Sequence, residues 1–336
     1  MKKIFFALFL PISFCLNLVW AQAKDLIPGG EAIGVVLHYD GILVTGTYTF
    51  ESAEKTIDPL VQDIQPGDLI VKCENESVTS NEALVALLAD HIPASNTLNL
   101  TLIRDGTELE RQLQVAYDAS SQSFKTGLYI QDNLSGIGTI TYYDPENKTY
   151  GALGHQMIDE QSGQTMSPES GTAFEAYIVN VEPSRDGNPG KKIGRIEKTA
   201  HLGDVALNNQ FGIYGHYTSL IKQDVTTLPT ASRDEIHLGT AEIWTVLDGK
   251  KVEAFQIELT ELKKQDEQEV KSLTFKVTDE RLLEATNGII QGMSGSPIIQ
   301  DGKIVGAVTH VSTNHVDMGY GLYIDWMLEE SGQMIE

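Results

Sequence analysis

Cysteine is scarce in this sequence. Two cysteines occur in 336 residues, and Cys15 lies in an N-terminal leader that is described below. The other, Cys73, has no partner for an intramolecular disulfide, which excludes a small fold held together by disulfides. Because Cys73 ends the strand-like run 70–73, we expect a buried core residue rather than a nucleophile.

Positive charge is also scarce. The chain has 24 Lys and Arg against 47 Asp and Glu, a net charge of −23. A surface this acidic repels phosphate backbones and anionic lipid headgroups, so no nucleic-acid partner is expected. The main effect of the charge is then solubility.

Long apolar runs are missing except at the N-terminus. Lys2 and Lys3 precede the mainly apolar stretch 4–20, and residues 21–23 read Ala-Gln-Ala. A short positive segment, an apolar stretch and a small-x-small site are typical of a signal peptide. Residues 1–23 are therefore predicted to be a signal peptide or an N-terminal anchor, and the protein is predicted to be exported.

Residues 27–117 have the order of elements of a PDZ domain. A Gln-Pro-Gly-Asp turn at 65–68 precedes a short strand. Ser80 is then a plausible N-cap of a helix, because apolar residues follow it at helical spacing. Two alternating strands, near 98–102 and 113–115, complete the pattern.

The start of this segment resembles a ligand-binding loop. In PDZ domains, backbone N–H groups hold the carboxylate of a peptide C-terminus while the peptide extends the sheet. Ile33, Gly34 and Val35 match that loop, so we expect them to bind a peptide. The alternative is a small β-rich domain without a ligand.

Residues 121–336 contain many short β-runs and little helix. Turns rich in Gly, Asn and Asp separate many of the runs, a pattern that favours a β-barrel or sandwich. The runs are 128–130, 137–142, 177–181, 243–246, 255–259, 273–277 and 304–311. The fold class is therefore predicted to be mainly β, with one short helix over 279–285.

One motif in this region is typical of a nucleophilic serine. Residues 292–297 read Gly-Met-Ser-Gly-Ser-Pro, and Gly-x-Ser-Gly-x-Pro surrounds the nucleophile of chymotrypsin-like serine peptidases. Ser294 would attack, and the N–H groups of Gly292 and Ser294 would form the oxyanion hole. Ser296 is a second candidate that lacks a glycine two residues before it, and a glycine-rich hairpin could have the same sequence.

A serine nucleophile needs a base. Among eight histidines, His155 has the most suggestive surroundings, since the small residues Gly151, Ala152 and Gly154 precede it and allow another segment to approach closely. The alternative is a structural histidine.

These motifs together resemble the SpoIVB peptidase family. The resemblance rests on Gly154-His155 followed by Asp159, on the 292–297 motif, on Gly-Ala-Val-Thr-His at 306–310 and on Ile-Pro-Gly-Gly at 27–30. It implies a PDZ domain followed by a chymotrypsin-like β-barrel peptidase domain. It also implies a catalytic set of His155, Asp279 and Ser294, with Thr309 supporting the site.

The acid is the open assignment. Asp279 lies only 15 residues before Ser294, closer than is usual in chymotrypsin-like enzymes, and it could instead stabilise the start of a helix. Asp159 is the rival, because in a helix it would share a face with His155. A metal bound by these two residues is a weak alternative without a third ligand.

The resemblance also implies a function. Family members are exported serine endopeptidases that need no metal or organic cofactor. They cleave a membrane-associated regulatory protein in sporulation signalling, in the space between the forespore membranes, and so activate intramembrane processing of a sigma-factor precursor. The protein would be secreted or membrane-tethered, and its PDZ domain would bind a peptide C-terminus. The alternatives are an envelope quality-control peptidase with a PDZ domain and a non-catalytic PDZ scaffold.

Overall fold

The computed structural model describes residues 23–52, 55–91, 96–118, 122–159, 171–185, 187–220, 225–265, 267–312, 314–332 and 334. Except for its last residue, the predicted leader 1–23 lies outside these residues. Within the described ranges, no helix is long and apolar enough to cross a membrane.

Ten strands and one α-helix occur among the described residues before residue 126. The strands are β1 (Asp25–Pro28), β2 (Ala32–Thr47), β3 (Phe50–Glu51), β4 (Thr56–Ile57), β5 (Leu69–Cys73), β6 (Glu76–Ser77), β7 (Thr97–Arg104), β8 (Thr107–Gln114), β9 (Ala116–Asp118) and β10 (Ser123–Lys125). The helix is α1 (Asn81–His91), and a 3₁₀ helix spans Pro59–Gln62. Ser80 Oγ accepts the Ala83 N–H at 3.2 Å, which confirms the predicted N-cap.

Thirteen further strands follow in the ranges that the structure describes. Seven precede the C-terminal barrel: β11 (Leu128–Asp144), β12 (Thr149–Ala152), β13 (Gly171–Glu182), β14 (Lys191–Val205), β15 (Leu207–Asn209), β16 (Gly212–His216) and β17 (Leu228–Pro229). Six form the barrel: β18 (Gly239–Val246), β19 (Val252–Leu262), β20 (Leu273–Val277), β21 (Pro297–Gln300), β22 (Lys303–Val311) and β23 (Met318–Tyr323). The helices in this part are α2 (Glu280–Thr286), α3 (Ile324–Gly332) and a 3₁₀ turn over Arg233–Glu235.

The prediction of a mainly β fold is confirmed. β18, β19, β20, β23, β22 and β21 close into an antiparallel barrel. Alternating apolar side chains such as Ile257, Phe275 and Ile298 point inward and are fully buried. The other large sheet runs β15-β16-β12-β11-β2-β5-β7-β8, with further strands paired along its edges.

The part of this sheet beyond β2 has its own apolar core. Side chains of β5, β7, β8 and α1 pack together, among them Leu84, Leu88, Leu100 and Leu102. Cys73 is fully buried in the same cluster, and burial raises the pKa of its thiol to about 11. Cys73 is therefore a core residue, as predicted.

Candidate active site

The turn that carries Ser294 connects α2 to β21 at one end of the barrel. Gly292 and Gly295 have φ angles of +91° and +90°, which L-residues with side chains rarely adopt. A Cβ on Gly295 would also lie 2.0 Å from the carbonyl oxygen of Thr139 in β11. The glycines of the motif are thus required by conformation and by close approach of the sheet.

The sheet holds this turn through β11. The Thr139 N–H donates to the Ser294 carbonyl at 3.0 Å, and Thr139 Oγ1 donates to the Gly292 carbonyl at 2.7 Å. Thr141 Oγ1 donates to the Gly295 carbonyl at 2.8 Å. Three carbonyl groups of the turn therefore point at β11 and are satisfied there.

The N–H groups of the turn divide into two sets. Those of Met293, Gly295 and Ser296 each donate to a backbone carbonyl 2.7–3.1 Å away. Those of Gly292 and Ser294 have no hydrogen-bond partner in the part of the chain that the structure describes. They are the two donors that the sequence predicted for an oxyanion hole.

The Ser294 hydroxyl rests on β22. Its Oγ donates to the Thr309 carbonyl at 2.9 Å. Thr309 is itself 1% exposed, and its Oγ1 lies 3.0 Å from the Val270 carbonyl and 3.2 Å from the Tyr320 carbonyl. Thr309 thus fixes the strand whose carbonyl positions the serine, which supports the predicted role of Thr309.

His155 follows β12 on the sheet side of the site. Its Nδ1 lies 2.8 Å from the Gln156 carbonyl, so Nδ1 carries the proton and Nε2 is left as the basic nitrogen. Burial lowers the pKa of His155, partly offset by this hydrogen bond. A Cβ on Gly154 would lie 3.1 Å from Thr309 Cγ2, so glycine there lets the histidine segment approach β22.

A second imidazole stands next to the first. The ring centroids of His155 and His310 are 5.5 Å apart. Burial lowers the pKa of His310 to about 4, with smaller contributions from the positive charges of His155 and Lys271. His310 Nδ1 is buried without a hydrogen-bond partner among the described residues. In the sequence, His310 ends the Gly-Ala-Val-Thr-His motif at 306–310, and the motif alone predicts no role for it.

One cavity of about 1000 Å³ unites these groups. Ser294, His155, Thr309, His310 and Gly292 line it. Its apolar walls include Leu134, Ile137, Leu153, Met157, Val270, Ile289, Ile290 and Val311. A hydroxyl that lines the cavity, a neutral imidazole and two N–H groups without a partner among the described residues are the parts needed for acyl transfer.

The sequence of this region also matches a known protein family. The model of the SpoIVB peptidase S55 family matches residues 122–328. The chain belongs to this family. It is therefore a serine peptidase that acts on protein substrates, and membership in the SpoIVB family indicates export.

Solved structures give a weaker likeness. The active form of the Rv3671c protease from M. tuberculosis is 14% identical, covers 59% of this chain and 75% of its own, and has a TM-score of 0.34. The inactive form of the Rv3671c protease is 15% identical over 58% of this chain and 84% of its own, with a TM-score of 0.32. Chains this dissimilar need share neither site geometry nor substrates. No curated protein sequence matches the chain.

Asp279 lies at the start of α2 in this SpoIVB peptidase. It caps α2, with Oδ1 accepting the Arg281 N–H at 3.0 Å and Oδ2 accepting the Gln256 N–H at 3.2 Å. The Arg281 guanidinium adds a 2.8 Å ion pair and holds the pKa of Asp279 below its usual range. Asp279 does not line the cavity. Its carboxylate is therefore engaged at the start of a helix in this structure, and the role of Asp279 as the acid stays a prediction.

Asp159 lines the cavity but serves another partner. Tyr39 OH donates to Asp159 Oδ2 at 2.9 Å, and burial together with this bond raises the pKa of Tyr39. The segment from His155 to Asp159 is not helical. His155 and Asp159 therefore do not share a helix face, which was the reason for considering Asp159 as the acid.

The predicted peptide-binding loop is corrected. Ile33, Gly34 and Val35 lie within β2, where one edge pairs with β11 and the other with β13. Both ladders use the backbone of these residues, so no N–H groups are free for a peptide carboxylate. No cluster of three or more His, Cys, Asp or Glu that could hold a metal ion occurs in the described ranges.

Proposed function

We propose that this SpoIVB peptidase is an exported endopeptidase in which Ser294 is the nucleophile and His155 the general base. The single observation that supports it most is the pair of unpaired N–H groups, on Gly292 and Ser294, on either side of Met293 at the cavity that holds His155. Such donors stabilise the oxyanion that forms when a hydroxyl attacks a peptide carbonyl.

The reaction begins with a rotation of the Ser294 side chain. Ser294 Oγ leaves the Thr309 carbonyl, to which it donates here, and turns its proton toward Nε2 of His155. The hydrogen bond between a nucleophile and its general base is often long or poorly aligned before substrate binds. As Oγ bonds to the substrate carbon, the carbonyl π electrons move onto oxygen, and His155 takes the hydroxyl proton.

His155 then returns the proton to the leaving amine, and the peptide C–N bond breaks. Water repeats the sequence on the acyl-enzyme and releases the acid. Throughout, the Gln156 carbonyl holds the Nδ1 proton of His155, the task that a carboxylate performs in a Ser-His-Asp triad. A carbonyl carries less charge than a carboxylate, so it stabilises the imidazolium less.

For the substrate, we propose a membrane-anchored regulatory protein of sporulation signalling, whose cleavage activates intramembrane processing of a sigma-factor precursor. Family membership supports this choice. The protein would work secreted or membrane-tethered, in the space between the forespore membranes. The unit with its own core around α1 would be the PDZ domain and would position that substrate rather than use residues 33–35.

Labelling with a fluorophosphonate, followed by peptide mapping, tests the nucleophile. We expect one adduct on Ser294, lost in Ser294→Ala and kept in Ser296→Ala. Ser296 is a matched control, since it is fully buried two residues away. An adduct that survives in Ser294→Ala would refute the assignment.

The substrate class needs a separate experiment. Cleavage of membrane-anchored regulatory proteins in vesicles is compared with cleavage of an unfolded protein such as reduced casein. We expect one strongly preferred membrane-anchored substrate. Rapid, indiscriminate cleavage of unfolded protein would favour envelope quality control instead.

A further inference from the structure

A lysine is buried behind the Ser294 turn. Lys192, in β14, is 6% exposed. Its Nζ donates to Thr245 Oγ1 at 2.7 Å and to Thr139 Oγ1 at 3.1 Å. No carboxylate among the described residues forms an ion pair with it, and its partners are two neutral hydroxyl groups.

Such a lysine costs stability. Burial alone lowers the pKa of Lys192 to about 7, because an ammonium group is poorly solvated there. Taking a charged group out of water is costly, and two neutral hydroxyl groups offset that cost less than a carboxylate would. A contribution to fold stability therefore does not explain this residue, and its contacts with the turn do.

The main chain of Lys192 holds the first oxyanion donor. Its N–H donates to the Gln291 carbonyl at 2.9 Å. That carbonyl and the N–H of Gly292 belong to the same peptide unit, so this bond fixes the direction of the Gly292 N–H and polarises it. The Lys192 side chain packs on the same glycine, since a Cβ on Gly292 would lie 3.1 Å from Lys192 Cβ and Cδ.

The side chain of Lys192 acts on the next peptide unit. Thr139 Oγ1 accepts from Nζ and donates its single proton to the Gly292 carbonyl at 2.7 Å. An amine that occupies a lone pair of this hydroxyl directs the hydroxyl proton toward the turn and strengthens the second bond. Without the amine, Thr139 is free to rotate away from Gly292.

We propose that Lys192 is a positioning residue for catalysis, which acts through Thr139 and Gln291 to hold the Gly292 N–H toward the oxyanion. This rests on the proposed function, because it assumes that Ser294 attacks and that Gly292 N–H is an oxyanion donor. Lys192 itself touches neither substrate nor Ser294 in this account.

The test compares Lys192→Met with Lys191→Met. Lys191 is the matched control, since it precedes Lys192 on β14 and its half-exposed amine pairs with Glu182 of β13 at 3.5 Å. For each protein, the rate of fluorophosphonate labelling is resolved into the maximal rate of inactivation and the inhibitor constant. We expect Lys192→Met to lower the maximal rate at least about tenfold, below the loss for a whole oxyanion donor. The inhibitor constant and the midpoint of thermal unfolding should be unchanged, or the midpoint higher.

Two threonine variants keep the proposal testable if Lys192→Met folds poorly. Thr139→Ser retains the hydroxyl and should label at nearly the wild-type rate, whereas Thr139→Val should be slowed like Lys192→Met. Equal rates for Thr139→Ser and Thr139→Val would overturn the proposal. So would a folded Lys192→Met that labels as fast as Lys191→Met.

Amide NMR separates this inference from the proposed function. We expect the Gly292 amide resonance to shift in Lys192→Met and not in Lys191→Met. If wild type is not labelled at Ser294 but this shift appears, the proposed function fails while Lys192 still positions the turn. An unshifted Gly292 resonance in Lys192→Met would overturn the inference whatever the labelling shows.

Discussion

Two glycine-containing segments looked alike in the sequence and differ in the structure. The sequence predicted that both residues 33–35 and the turn at 292–296 would offer backbone N–H groups to a ligand. In the turn, the N–H groups of Gly292 and Ser294 have no hydrogen-bond partner among the residues that the structure describes. In β2, both edges of residues 33–35 are paired with other strands. Glycine permits an unusual backbone, but the neighbouring strands decide whether its N–H groups are available.

The glycines themselves serve different purposes in the two segments. Gly292 and Gly295 have positive φ angles, so they shape a turn. Gly34 lies in extended backbone, where a Cβ would come within 2.4 Å of the Ile196 side chain. Gly34 therefore makes room for packing across the sheet, a need that a sequence motif does not reveal.

The largest effect is expected from Gly295→Ala. Strain at φ +90° and the clash with the Thr139 carbonyl should cost about 3 kcal/mol or more and displace the turn. Fluorophosphonate labelling should fall at least about a hundredfold. Gly302→Ala is the control, since Gly302 has φ +74° but nothing within 4 Å of its Cβ position. Similar labelling losses in both variants would show that strain alone, not the contact with β11, limits this turn.

Low pH should have the second largest effect, a decrease in the rate of labelling at Ser294. His155 acts unprotonated, and burial lowers its pKa from 6.5, so the labelling rate should be flat near neutral pH and fall only below 6.5. The fall should be about tenfold per pH unit. His310 stays neutral until near pH 4 and does not enter this range. A midpoint above 6.5 would indicate a carboxylate beside His155 and contradict the Gln156 arrangement.

Gly34→Ala should act on stability rather than on ligand binding. The clash with Ile196 should lower the free energy of unfolding by about 1–3 kcal/mol, measured in urea. Adding Ile196→Ala should recover part of that loss, because the two changes share one contact. If Gly34→Ala instead weakened the capture of a peptide without altering stability, residues 33–35 would again be a binding loop.

Asp279→Asn should have the smallest effect. Asn also caps helices, so only the pairing with the exposed Arg281 is lost, and labelling should stay within a few-fold of wild type. Asp279→Ala removes the cap and should cost about 1 kcal/mol of unfolding free energy. A loss of labelling by orders of magnitude in folded Asp279→Asn would identify Asp279 as the acid.

Local patterns predicted what local physics determines. The strand 273–277 was predicted with its observed bounds and α1 with its Ser80 cap, since alternation and capping are short-range signals. For Asp279 the sequence leaves two roles open, because an aspartate before a short helix can be its N-cap or a catalytic acid; the structure shows the cap. Pairing of β2 with β11 and β13 joins residues 81 to 142 positions apart, and hydrophobic periodicity carries no information about such distant pairs.

Some residues of the candidate site could not be predicted from the sequence. Lys191 and Lys192 are adjacent in the sequence, and no pattern there distinguishes them. Only the structure shows that Lys192 is buried and that Lys191 is half-exposed. The role of Gln156 depends on its backbone carbonyl, which any residue provides. Ser294 and His155 could be predicted because glycines that their local conformation and packing require lie next to them in the sequence.

The central claim is that the turn's unpaired N–H groups bind the oxyanion. A crystal structure of the protein covalently modified by a fluorophosphonate tests it most directly. We expect phosphorus on Ser294 Oγ and the phosphoryl oxygen about 2.7–3.1 Å from the backbone nitrogens of both Gly292 and Ser294. An adduct whose phosphoryl oxygen points away from both nitrogens, or a modified residue other than Ser294, would contradict it.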